Sequence, residues 1–244
     1  MRAIALHKET GQLASANAIG AMRTENSPSV LARGLVMLAL SVLFGGCTAL
    51  QPAAVESPNL HVLDARPAAV TATEKRDLVL EVSATRAWPG FDTMQMAYVK
   101  RPHEIDYYAN NRWADTPARM ISPLLARALE QTGAFRAIVQ PPTMAPPDLR
   151  LVSELIMLQQ NFAALPSRVE LVLRVQLLDV RAKRVLATRT FEATETAPSD
   201  DAYGGVVAAN AALQRVLGEV TVFCIMEAGT LRAPGAFAPQ NGPA

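Results

Sequence analysis

The chain has 244 residues, half of them hydrophobic, 18% charged and 5% aromatic, a length and balance suited to one globular domain or at most two. Its formal net charge is +1, and residues 1–46 hold +2 of it (Arg2, Lys8, Arg23 and Arg33 against Glu9 and Glu25), leaving −1 for the rest. A near-neutral domain has no electrostatic footprint for phosphate, so no nucleic acid is expected as a partner.

From Gly34 to Gly46 the sequence reads GLVMLALSVLFGG, followed by Cys47. The apolar run has the length of a signal-peptide core and is too short to cross a bilayer as a permanent helix. Arg33 directly before it and Arg23 upstream form a positive n-region, and two glycines end it with the small residues that a signal peptidase accepts. Leu43-Phe44-Gly45-Gly46-Cys47 resembles the lipobox of bacterial lipoproteins, although leucine is usual where this chain has Phe44. In such proteins the cysteine thiol receives diacylglycerol, and a dedicated peptidase then cuts on its N-terminal side. A signal peptide is therefore expected over residues 1–46, with lipid attached at Cys47. A buried helix with a glycine cap would leave the Gly-Gly-Cys-Thr-Ala break unexplained. The stretch before Gly34 is long for an n-region, and Met22 is an alternative start. Thr48 and Ala49 follow the cysteine. By resemblance to enterobacterial lipoproteins, the absence of aspartate there implies the outer membrane and its periplasmic face.

Residues 47–58 are expected to be the lipidated cysteine and a flexible tether, because TALQPAAVESP is small, polar and broken by proline. A domain is expected over 59–230, and a disordered tail over 231–244, rich in Pro, Gly and Ala. Within the domain, Leu78, Leu80 and Val82 alternate with Val79, Glu81 and Ser83. Residues 93–100 and 105–113 suggest a strand pair turning at Arg101-Pro102-His103. Thr116 and Pro117 read as the N-cap and first position of a helix that carries Ile121, Leu125 and Leu129 and stops at Gly133. Residues 148–160 alternate through Leu149, Leu151, Ser153, Leu155 and Met157. The clearest strand is 168–180, where Val169, Leu171, Leu173, Val175 and Leu177 line one face. A tight turn at Ala182-Lys183 leads to a partner strand over 184–193. A second helix opens near Ser199-Asp200-Asp201, acidic at its positive end, and carries Val206, Leu213, Leu217, Val220 and Cys224. The fold class expected is α+β: a mostly antiparallel sheet with two main helices packed on one face.

Little of the sequence reads as chemistry. His7, His61 and His103 are isolated, with no cysteine or carboxylate at metal-ligand spacing, so neither a metal nor a cofactor is expected. There is no Gly-x-Ser-x-Gly, phosphate-binding loop or dinucleotide fingerprint, and no catalytic residue is assigned. Glu104 and Asp106 read as solvated strand charges, and Ser153 as a hydrogen-bonded core residue. Cys224 lies on an apolar helical stripe, where an unpaired cysteine acts as a small hydrophobe. Tyr98, Ile105, Tyr107, Tyr108 and Trp113 concentrate the scarce aromatic content around one hairpin. These rings either cover the core beneath the first helix or present a docking patch of Tyr98, Tyr107, Tyr108 and Trp113.

The run Ala97-Tyr98 … Ile105-Asp106-Tyr107-Tyr108 … Arg112-Trp113-Ala114-Asp115-Thr116-Pro117, then a helix with Leu124-Leu125 and Leu129, then Gly133-Ala134-Phe135, resembles the ABC-type transport auxiliary lipoproteins. The similarity covers roughly 59–228, with Arg-Trp-Ala-Asp as its sharpest segment. The resemblance implies a non-enzymatic accessory to an ABC system built from an MCE-domain protein, a permease and an ATPase. Such systems move phospholipids, sterols or other apolar molecules across the envelope. It implies contact with those subunits; membrane attachment is expected through the lipid on Cys47, and a homo-oligomer is left open. Two other functions are weighed against it: an assembly or activator lipoprotein of a cell-wall synthase or secretion pore, and a periplasmic hydrolase. The hydrolase lacks a nucleophile–base constellation.

Overall fold

The computed structural model describes residues 34–35, 57–66 and 72–231. The leader apart from Gly34 and Leu35, the lipid-attachment residue Cys47, the tether as far as Glu56 and the tail from Arg232 lie outside the described residues. In chain order the domain comprises β1 (Asn59–His61), β2 (Arg76–Val82), β3 (Arg86–Ala87), β4 (Gln95–Val99), β5 (Asp106–Trp113), α1 (Pro117–Thr132), β6 (Phe135–Val139), β7 (Leu149–Asn161), β8 (Arg168–Asp179), β9 (Arg184–Thr196) and α2 (Ala202–Gly229).

All nine strands join one sheet, and β7 is its spine. Along one edge β7 pairs antiparallel with β8 from Leu149 to Asn161, and β8 pairs with β9 in the same sense. The other edge of β7 receives three short strands in succession, all parallel to it. These are β2 at Leu149–Leu151, β3 at Glu154–Leu155 and β4 at Gln159–Asn161. Beyond them, β6 lies parallel to β2, β5 antiparallel to β4, and β1 parallel to β5. The long meander makes the sheet mostly antiparallel, and the fold is α+β with both helices on one face. α2 covers β8 and β9, while α1 lies over β2, β3 and β6 and packs against α2.

Alternation explains the core. Leu171, Leu173, Val175 and Leu177 of β8 point beneath α2 with no more than 1% exposure, together with Leu213, Val216, Leu217 and Val220. Each such side chain contributes about 1.5–3 kcal/mol by leaving water. β7 departs from simple alternation. Leu155 pairs with Leu173 and Met157 with Val172, so Ile156 is an extra residue, a β-bulge. The inward row Leu149, Leu151, Ser153, Leu155 therefore resumes at Leu158 and Gln160. This corrects the expectation that Met157 continues that row: Leu158 is buried, and Met157 is half-buried on the other face.

The caps follow the sequence signals. Thr116 precedes Pro117, and Gly133 ends α1 in the left-handed region (φ 64°), where its N–H donates to the Glu130 carbonyl. At α2 the Asp201 carboxylate accepts from the Gly204 N–H at 2.7 Å and from the Ser199 hydroxyl at 2.8 Å. Those bonds hold its carboxyl below the usual carboxylate range. α2 is also the one helix among the described residues long and apolar enough to cross a membrane by length and composition. Here its apolar side is spent on the sheet. Cys224 is fully buried in α2 and unpaired, and burial pushes its thiol up, so it remains a protonated hydrophobe.

Two buried carboxylates pin the sheet from its other face. Glu81 of β2 accepts from Arg150 Nε at 2.7 Å and from the Ser83 hydroxyl at 3.1 Å. Asp148 accepts from the Val79 N–H at 2.8 Å and pairs with Arg181. The sequence pattern read Glu81 as a strand-face residue, and its partner sixty-nine positions on supplies the reason it is buried.

Candidate functional site

The aromatic hairpin is β4–β5, and its register decides where each ring goes. Tyr98 pairs with Asp106 in β5 and with Gln160 in β7, so Tyr98, Tyr108 and Gln160 share the helix side of the sheet. The Tyr98 and Tyr108 rings lie 4.8 Å apart, tilted by 53°. Phe162 meets Tyr98 edge-on at 5.9 Å, and Lys100 Nζ sits 5.2 Å from the Tyr98 ring centre. Such edge-on and cation–π contacts fix ring orientation at little entropic cost.

Beneath these rings is a polar knot. The Tyr108 hydroxyl donates to Gln160 Oε1 at 2.9 Å, and Gln160 Nε2 donates to Ser167 Oγ at 2.9 Å and to the Asp201 carbonyl at 3.1 Å. Gln160 is 3% exposed. The bulge at Ile156 is what turns it inward, and the N-terminus of α2 closes over it. Gly205 makes that approach possible, since a Cβ there would stand 2.2 Å from Gln160 Oε1. A cavity lined by Met96, Trp113, Leu158, Gln160 and Gly205 adjoins the knot and has room for about one water.

Desolvation first, then the neighbouring Tyr98 and Asp201, push the Tyr108 phenol up to about 12. The folded value lies above the unfolded value of about 10, so the stability it contributes is complete below pH 10 and is lost as pH climbs toward 12. Tyr108→Phe is expected to leave Gln160 Oε1 without its donor, at a cost of about 1–3 kcal/mol near neutrality. It is also expected to flatten the decline in stability between pH 10 and 12. Urea unfolding at pH 8 and pH 11 measures both effects, and an unchanged slope in the variant would assign the alkaline loss to other groups.

The remaining candidates go elsewhere. Tyr107 faces the opposite side of the sheet, where its hydroxyl donates to the Gly90 carbonyl at 2.9 Å. That bond ties β5 to the loop between β3 and β4, which exposes Trp88 and Met94. Trp113 is 3% exposed and belongs to the core. It offers nothing to a partner. The four docking candidates therefore divide into a surface pair, Tyr98 and Tyr108, one ring on the other face, and one core anchor. Phe162 completes the surface pair and was not singled out in the sequence, where it is a lone aromatic after a strand. A groove of about 400 Å³ lies at the β4–β5 turn, lined by Val99, Arg101, Pro102, Glu104, Ile105 and Asn161. Val99 and Asn161 pair one place beyond Tyr98 and Gln160, so they face the side of the sheet opposite to the Tyr98–Tyr108 pair. His61 Nε2 lies 2.9 Å from Asn111 Oδ1, and His103 sits in the exposed β4–β5 turn. Among the described residues, no three His, Cys, Asp or Glu side chains gather as a metal set.

A family model described as the ABC-type transport auxiliary lipoprotein component matches residues 61–221. No curated protein matches the chain. Among solved structures, protein XCC0632 from Xanthomonas campestris is similar at 21% identity with a TM-score of 0.65, covering 70% of this chain and 97% of that one. Another, described as an uncharacterized protein, shares 12% identity with a TM-score of 0.55, covering 69% of this chain and 99% of that one. Identities this low show a shared fold alone. The family match is broader in meaning, since it runs from the end of β1 through all the later strands and most of α2. This chain belongs to the ABC-type transport auxiliary lipoprotein component family.

Proposed function

We propose that the chain is the lipid-anchored, periplasm-facing auxiliary component of an MCE-type ABC transporter that moves lipids or other apolar molecules across the envelope. The reading builds on family membership, which carries association with an ABC transport system and a place at the cell envelope. It acts by docking, with no reaction of its own. Cys47 carries the acyl chains, the outer membrane holds them, and the MCE-domain protein, permease and ATPase are its partners. The observation that carries this reading is the family match from the end of β1 through the later strands and most of α2. In support, Tyr98, Tyr108 and Phe162 form a packed aromatic cluster on the helix side of the sheet, the kind of anchor that interfaces favour. Trp113 has no place in that surface. Tyr107 presents a separate contact on the opposite face.

Affinity purification of the tagged full chain from detergent-solubilised membranes tests this. The MCE-domain protein, permease and ATPase are expected to co-purify, and Tyr98→Ala is expected to reduce their recovery while the chain stays folded. Recovery of cell-wall synthase or secretion-pore subunits in their place would sink the assignment.

A further inference from the structure

We infer that the flank formed by β1 and the first turns of α2 rests on the bilayer surface, so that the lipid anchor holds the domain in one orientation. The inference rests on the acylation of Cys47 proposed above. Four apolar side chains on this flank face solvent: Leu60 at 62%, Val62 at 51%, Tyr203 at 67% and Val207 at 41% exposure. They belong together. Tyr203 and Val207 are one helical turn apart and share a side of α2, and Asn210 follows on that side. Asn210 Nδ2 donates to the Val62 carbonyl at 3.2 Å, and its Oδ1 accepts from the Asp64 N–H at 2.8 Å. Leu60 and Val62, two residues apart in extended chain, point the same way. Asn210 thus holds an apolar segment alongside an apolar helix turn, and no described residue covers either.

The reach of the anchor identifies the occupant. Eleven residues separate Cys47 from Asn59, the first residue of β1. Fully stretched, those twelve links span about 42 Å, which is also about the length of a 28-residue helix such as α2. The acyl chains therefore stay within one helix length of β1 at most. The exposed apolar flank is the part of the domain tied directly to them. Tyrosine with valine and leucine suits the boundary between headgroups and acyl chains, where an amphipathic ring is at home. Once a lipid tether holds the domain at the surface, even a weak contact of this kind is populated, because the second binding event has become intramolecular.

Bimane labels on single introduced cysteines test the orientation in the mature acylated protein, reconstituted into vesicles of phosphatidylethanolamine and brominated phosphatidylcholine. Cys47 is consumed by lipid and Cys224 is buried, so the introduced thiol is the one that reacts. Tyr203→Cys and Val207→Cys labels are expected to be quenched by brominated lipid several-fold more than a label on Met144→Cys, since Met144 is fully exposed in the β6–β7 loop. Acylated, vesicle-bound protein with unquenched labels at 203 and 207 overturns the orientation and leaves the anchor standing. Labels shielded from both lipid and aqueous iodide mark a protein neighbour on the flank, which also overturns it. Protein that carries no acyl group on Cys47 and fails to join the vesicles removes the anchor and the orientation with it.

Discussion

Cys47→Ala is expected to abolish fatty-acyl labelling of the chain. Delivered behind a leader cut by the ordinary signal peptidase, the variant is expected to move from the membrane fraction to the soluble periplasm. The size of the effect follows from the number of chains lost. One acyl chain gives a marginal membrane association constant of about 10⁴ M⁻¹, whereas two or more anchor stably. The four partly exposed side chains Leu60, Val62, Tyr203 and Val207 bury far less hydrocarbon than a pair of acyl tails, so they do not hold the domain alone. Behind the native leader the same substitution is expected to give a longer, uncut precursor, because the dedicated peptidase acts on the lipid-modified cysteine. Fractionation with radiolabelled palmitate reads both outcomes. Acyl label that persists on the Cys47→Ala chain would refute the attachment site.

The second large effect sets sterics against helix propensity within one helix. Gly204 and Gly218 both lie in α2, and alanine in a helix interior is favoured over glycine by about 0.8–1.0 kcal/mol. At Gly218 a Cβ meets nothing within 4 Å, so Gly218→Ala is expected to stabilise the domain by roughly that amount. At Gly204 a Cβ would stand 2.0 Å from the Ser199 carbonyl oxygen and 2.6 Å from its hydroxyl. A backbone carbonyl has nowhere to swing. Relief requires the turn before the helix to move, which breaks the Gly204 N–H bond to Asp201 and disturbs the Asp201 carbonyl that Gln160 uses. Overpacking costs about 1–3 kcal/mol and loss of a cap about 1 kcal/mol more. Gly204→Ala is therefore expected to lower stability by about 1–3 kcal/mol once the helix-propensity gain is subtracted. At about 2–4 °C per kcal/mol for a domain of this size, Tm should fall by some 2–12 °C while it rises for Gly218→Ala. Calorimetry on the pair checks the sign at each position, and two changes of the same sign would contradict the packing at the α2 entry.

What could be read from the sequence tracks the length of each pattern. β8 was plain because five apolar residues alternate from Val169 to Leu177, and α1 was plain because Thr116-Pro117 and Gly133 punctuate a helical stripe. β1, β3 and β6 were not foreseen. β3 is two residues long and exists through its pairing with β7. β6 is five residues long, apolar except for Arg136 and without strict alternation, and its partner β2 lies across α1. The bulge in β7 was illegible for a different reason. Leu155, Ile156, Met157 and Leu158 are all apolar, so hydrophobicity cannot say which of them is extra. That uncertainty propagated to the site. The aromatic concentration in the hairpin was visible, but the register that sends Tyr108 toward Gln160, Tyr107 toward Gly90 and Trp113 into the core is a tertiary fact. Gln160, Phe162 and Gly205 joined from far along the chain and carried no local signature.

The composition of α2 has a consequence before the domain has any shape. An exported chain enters the translocation channel unfolded, when neither β8 nor β9 is in place to cover a stretch long and apolar enough to span lipid. At that moment composition alone decides between passage and sideways escape into the bilayer. Arg215 and Glu219 stand near the middle of the stretch, where an arginine costs about 2.5–3.5 kcal/mol to leave in hydrocarbon. In the finished domain Arg215 makes an ordinary surface ion pair with Glu195 at 2.9 Å, worth little to stability. For a chain that crosses the channel unfolded, those two charges weigh against lodging this helix in lipid.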